Sequence, residues 1–208
     1  LVATRPSFAE EAFEPIMGER FAPLDITFEM PPTWKARPGQ KPKSSKYLLY
    51  TDTYGPNYRY NRIWPKLKDE EGVAVDSIEV VISGLSGTER ITDLGPQENV
   101  DVNRAFGFQR EDLTTAEVIG AVTRIDQDGQ AYYEWELETG FGDKLFVSAA
   151  ASGGGLYVLC VGLTGEQFAR GGDAAKNLVH TFVVPRGDES ADDISTRIYG
   201  TVKAGGFS

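Results

Sequence analysis

The chain has 208 residues, 40% of them hydrophobic and 25% charged, enough for one globular domain with appendages and a sizeable core. Its 31 acids against 21 Lys and Arg leave a formal net charge of −10, which excludes a general nucleic-acid binder, because neutralising phosphates takes a clustered surplus of cations. One cysteine, Cys160, and one histidine, His180, exclude an internal disulfide and a Cys/His zinc cluster.

Residues Leu1 to Pro23 scatter Phe8, Phe13 and Phe21 among Glu10, Glu11, Glu14 and Glu19 without a helical period, and 1–22 reads as an arm ordered by contact. No run approaches the ~20 apolar residues of a membrane span, and no charged region, apolar region and cleavage site open the chain. Asp25 to Met30 alternates as a strand that Pro31-Pro32 ends, since proline cannot donate a ladder hydrogen bond. Lys35 to Lys46, with two prolines, a glycine and five cations, predicts an exposed loop. Lys46 to Asp52 resumes an extended pattern, and Ser77 to Ser83 is a β-branched strand.

Gly95-Pro96 predicts a helix start, with Glu98 and Asp101 near its positive end and a stop by Gly107. Thr115 to Asp126 and Gln130 to Thr139 form a hairpin turned by Asp128-Gly129. Lys144 to Ser152 and Leu156 to Leu163 are two further strands joined by the Gly153-Gly154-Gly155 turn, and Asp173 is placed to cap a helix from Ala174 to Thr181. The Asp-rich tail 186–208 is expected to be mobile or to dock on a partner. Consecutive strands with short turns give an α+β class built on an antiparallel sheet, not a parallel nucleotide-binding one.

Glu134, Glu136 and Glu138 share one strand face at roughly 6.6–6.8 Å intervals, a spacing open to an acid/base pair or to calcium. The reading taken is a solvated face whose acids are answered by Lys or Arg from a neighbouring strand. Cys160 lies in an apolar run with no adjacent base and reads as buried and inert; His180 reads as a partly exposed residue at a helix end. The triple glycine lacks the phosphate-loop pattern, and Arg186-Gly187-Asp188 is a chance tripeptide. No catalytic or metal-ligating residue is assigned. What remains is a basic and aromatic constellation for partner docking: Lys35, Arg37, Lys41, Lys43 and Lys46, then Tyr58, Arg59, Tyr60, Arg62 and Trp64, with Lys66 and Lys68 close by. On an acidic chain this local positive field steers docking onto an acidic surface, with Tyr58, Tyr60 and Trp64 as anchors.

The order of residues also resembles the PsbP family of thylakoid-lumen proteins. The resemblance rests on Asp128, Gly129, Tyr132 and Tyr133, then Gly153, Gly154, Leu156, Tyr157 and Cys160, then Phe182 and Val183. Upstream it includes the segment Phe28 to Lys35, Ile91 to Gly95, Pro96 and Glu98, so that it spans about Pro23 to Pro185. It implies an antiparallel sheet with helices on both faces over 23–185, with an insertion at about 53–72. It further implies a processed, non-enzymatic protein of the chloroplast thylakoid lumen, peripheral to the membrane. Its partners would be photosystem core subunits and other extrinsic lumenal proteins. In that reading it is an extrinsic photosystem II subunit that stabilises the oxygen-evolving complex, binding no cofactor directly but favouring retention of calcium and chloride. Lys144 stands where some plant members are expected to carry a histidine, against a metal site at that turn. The alternatives are a divergent PsbP-domain subunit or assembly factor of photosystem I or the thylakoid NDH complex, an enzyme using the Glu134, Glu136 and Glu138 face, and a likeness only to the wider fold shared with a nuclear-transport factor.

Overall fold

The computed structural model describes residues 26–51, 55–84, 88–102, 115–153 and 155–185; the arm 1–22 and the tail 186–208 lie outside them. The strands are β1 (Lys43–Thr51), β2 (Gly55–Trp64), β3 (Leu67–Asp69), β4 (Gly72–Val75), β5 (Ser77–Gly84), β6 (Glu117–Ile125), β7 (Ala131–Glu138), β8 (Lys144–Ser152) and β9 (Gly155–Leu163). The helix α1 (Gly165–His180) follows β9. Seven strands form an antiparallel sheet in the order β1-β2-β5-β9-β8-β7-β6, and β3 and β4 make a separate ribbon. The α+β expectation is met.

The burial of each strand follows from its place. β8 and β9 sit inside the sheet under cover on both faces, so their nearly unbroken apolar sequences are buried almost throughout. On one face α1 sets Ala175, Leu178 and Val179 into a core with Ile78, Val80, Ile82, Phe146, Leu159 and Val161. On the other, Ile91 and Val102 close over Val81, Trp135, Val147, Val158 and Cys160. Each fully buried side chain of this kind contributes about 1.5–3 kcal/mol. A Cβ at Gly162 of β9 would stand 2.6 Å from Ser77 Oγ and 3.2 Å from Leu145 Cδ2, so a side chain there requires those two to shift.

The meander β6 to β9 forms as expected, and its first turn shows why. Asp126 accepts hydrogen bonds from the N–H groups of Asp128 and Gln130 at 2.9 Å each, while Gly129 takes φ 82°, a conformation that favours glycine.

Four expectations need correction. Asp25 to Met30 is no ladder strand: among the described residues it makes one bridge, Thr27 to Val183. The segment from Lys35 is a loop only as far as Pro42, because β1 begins at Lys43; the stretch 53–72, read as an insertion, contains β2 and β3. At Gly95-Pro96 the chain makes 3-10 turns, Ile91–Leu94 and Gln97–Asn99, in place of an α-helix from that point. The second face is therefore covered, among the described residues, by these turns and Val102. Finally, α1 starts nine residues before Ala174, capped by Thr164 and not by Asp173. Thr164 accepts the Gln167 N–H at 3.4 Å, and Gln167 Oε1 accepts the Thr164 N–H at 2.9 Å, a reciprocal cap. Gly171 leaves helical geometry (φ −136°, ψ 18°) and kinks the helix at the glycine pair that hid its first half.

Candidate docking surface

The basic constellation is carried by a hairpin. β1 pairs with β2 from Lys43↔Ile63 to Thr51↔Gly55, and β2 pairs with β5 over Arg59↔Ser83 to Trp64↔Ile78. The loop before β1 is pinned to β3, since Lys35 and Lys68 exchange two backbone hydrogen bonds of 2.8 Å. Loop, hairpin base and ribbon thus meet at one corner, around a hollow of about 690 Å³ that includes Arg37, Lys41, Lys43, Lys66 and Lys68, with Trp64 and Val73 among its apolar lining. No Asp or Glu is among the described residues lining it. A second hollow of about 400 Å³ adjoins it, sharing Arg37 and Lys68 and adding Lys35 together with the acids Asp69 and Glu70.

Two of the nearby acids, Asp69 and Glu71, are drawn toward the helix. Arg170 of α1 reaches Asp69 at 3.6 Å and Glu71 at 3.4 Å, and donates to Val73 O at 2.7 Å, which holds the acids of the β3–β4 turn toward the helix. Asp76 pairs with Lys66. Arg37, Lys41, Lys43 and Lys68 make no ion pair among the described residues, so their charge faces water.

Of the residues singled out for docking, Arg37, Lys41, Lys43 and Trp64 come together here and Lys35 lines the adjoining hollow. Trp64, however, is no exposed anchor. It is 2% exposed and packs edge-on to Phe28 at 5.2 Å, because its face of β2 turns into the core. Arg62 lies over the same ring at 5.4 Å, and burial lowers its pKa. Lys46, Tyr58, Arg59 and Tyr60 are placed by backbone register three to five pairs along the hairpin from the hollow. Ile63, 44% exposed, and Val73 were missed as lining residues; for Ile63 its apolar character beside Arg62 was the available signal, and for Val73 there was none.

The acid row on β7 presents the contrasting arrangement. Glu134 accepts from Arg124 Nε at 2.6 Å and lies 3.2 Å from His180 Nδ1, the two side chains of the arginine pair being 11% and 13% exposed. Glu136 pairs with Lys176 at 2.6 Å, and Glu138 pairs with Lys144. Two of these cations come from neighbouring strands and one from α1. Among the described residues no cluster of three metal-ligating side chains occurs. Cys160 is buried within the second core. Tyr132, beneath Arg124 at 3.8 Å, accepts from Val184 N–H at 3.1 Å; burial pushes its hydroxyl up to about 12. The Tyr133 hydroxyl, which donates to Gly95 O at 2.7 Å, is raised by burial and then by Glu98.

No helix among the described residues is long and apolar enough to cross a membrane. No curated protein matches the chain. Among solved structures the chain is similar to the solution structure of cyanobacterial PsbP (CyanoP) from Synechocystis sp. PCC 6803, with 19% identity over 77% of this chain and 86% of that one and a TM-score of 0.47. A family model described as PsbP matches residues 25–184. That match takes in the whole sheet and its helix, and the chain belongs to the PsbP family.

Proposed function

We propose that this protein is a non-catalytic extrinsic subunit on the lumenal face of the thylakoid membrane, which docks through the corner hollow onto acidic loops of photosystem II. In this reading it stabilises the oxygen-evolving complex and favours retention of calcium and chloride without binding either itself. The observation that carries the docking step is the convergence of Arg37, Lys41, Lys43 and Lys68 with no carboxylate among the described lining residues. Such a patch on a chain of net charge −10 orients the molecule toward an acidic partner and sets a salt-dependent on-rate. The acids of β7, each answered by a cation, are left to hold the fold.

A salt wash and reconstitution of thylakoid complexes tests this. Co-purification with photosystem II, release at high salt and restored oxygen evolution at low calcium and chloride on re-addition are expected. Charge reversal at Arg37, Lys41 and Lys43 should weaken rebinding by about tenfold or more. Retention only on photosystem I or the NDH complex would overturn the photosystem II assignment in favour of a divergent subunit or assembly factor.

A further inference from the structure

The two edges of the large sheet are built differently. At one, β1 carries Lys43 and Lys46, the kind of charge that blunts an edge against pairing. The other edge is β6, whose outer side pairs with no described strand. It carries only two charged residues, Glu117 and Arg124, and Arg124 is turned inward onto Glu134. Val118, Ile119, Val122 and Ile125 are 51%, 46%, 59% and 60% exposed. Beside it, on the helix side, lies a hollow of about 210 Å³ to which Gly120, Val122, Phe146 and Val179 contribute, with the paired Glu136 and Lys176 and the Arg124-bound Glu134 at its lining. A nine-residue apolar edge of this kind attracts another strand unless it is covered.

The chain leaves the described residues close to this edge. Pro185 O accepts from Ser152 Oγ at 2.6 Å at the end of β8, and Phe182 O accepts from Arg124 of β6 at 2.8 Å. Ile125 closes β6 at the same end of the sheet, opposite Ala131. Beyond the acidic stretch 186–193 the sequence reads ISTRIYGTVK from Ile194 to Lys203. There Ile194, Thr196, Ile198, Gly200 and Val202 alternate with Ser195, Arg197, Tyr199, Thr201 and Lys203, a β-branched pattern of period two. From β8 to a place outside β6 is three strand spacings, about 15 Å, and eight extended residues reach about 26–29 Å. A segment starting at that end and running back along β6 would be antiparallel to it, like every pair in the sheet.

We propose that Ile194 to Lys203 adds to the outer side of β6 as an eighth strand of the same molecule. The acidic link 186–193 crosses the end of the sheet, and one side of the added strand covers the hollow beside Gly120. This assignment is independent of the docking reading. Hydrogen exchange on the full chain tests it, comparing the natural sequence with the double variants Ile198→Pro/Tyr199→Pro and Thr201→Pro/Val202→Pro, each of which removes a ladder donor in either register. The alternate outer amides of β6 are expected to exchange at least about tenfold more slowly in the natural chain than in either variant, with β8 amides unchanged as the control for folding. Equal β6 rates in all three chains would overturn the proposal. Protection that grows with protein concentration would overturn it too, because a second copy would then be supplying the strand.

Discussion

Strand β7 and the corner where β2 meets β3 each concentrate one sign of charge, and they dispose of it in opposite ways. On β7 three carboxylates stand on one face, and each meets a cation supplied by β6, β8 or α1. At the corner, Asp69 and Glu71 are held by Arg170 and Asp76 pairs with Lys66, while Arg37, Lys41, Lys43 and Lys68 make no ion pair among the described residues. A charge paired inside the fold does structural work and is costly to uncover; a charge left facing water costs little stability and remains available to a partner. The count of charges therefore says less about function than whether each one is answered.

The comparison makes graded predictions. The largest effect on stability is expected for Arg124→Ala, which removes the arginine partner of the mostly buried Glu134 carboxylate, leaving it His180 and Ser148, and removes the donor to Phe182 O. A loss of about 3 kcal/mol in urea unfolding is expected, and an unchanged midpoint would mean the β7 pair is not structural. Tyr132→Phe comes next, at about 1–2 kcal/mol, since Val184 N–H loses its acceptor. It also carries a pH signature. The Tyr132 hydroxyl titrates at about 12 in the fold against 10.0 ordinarily, so the native state holds its proton longer than the unfolded chain. The stabilisation is complete below about pH 10 and is lost as pH rises toward 12, and the phenylalanine variant should lack that part of the alkaline decline. Smallest is Lys176→Ala, whose ammonium is 57% exposed opposite Glu136; a change within about 0.5 kcal/mol is expected by the same measurement.

The sequence made the meander legible because its strands obey period two or run apolar, and its turns carry Asp-Gly and Gly pairs. It made the answered acids legible as well, since Arg124 and Lys144 lie in strands adjacent to β7. Most of β1 was legible as the extended pattern from Lys46, but its start at Lys43 was hidden by prolines and cations that imitate a loop, and β2 was hidden because its Tyr-rich sequence lacks a clean alternation; the extended form of β2 is fixed by pairing with β1 and β5. The first half of α1 was masked by Gly171-Gly172, although Thr164 and Gln167 already spelled a reciprocal cap. At the docking surface the cations were readable, but their convergence was not. That depends on the Lys35–Lys68 bridge and on Arg170 drawing Asp69 and Glu71 away, both of which join residues distant in sequence.

The most direct test of the unanswered corner compares two doubly neutralised proteins with the same change in net charge. One carries Arg37→Gln and Lys43→Gln in the hollow; the other carries Arg90→Gln and Lys176→Gln, away from it. Rebinding to salt-washed photosystem II membranes is measured across a salt series. The hollow variant should bind several-fold more weakly with a shallower salt dependence while keeping the natural unfolding midpoint, and the distant variant should bind like the natural protein. Equal weakening in both would show that overall charge governs docking and would contradict the assignment of this surface.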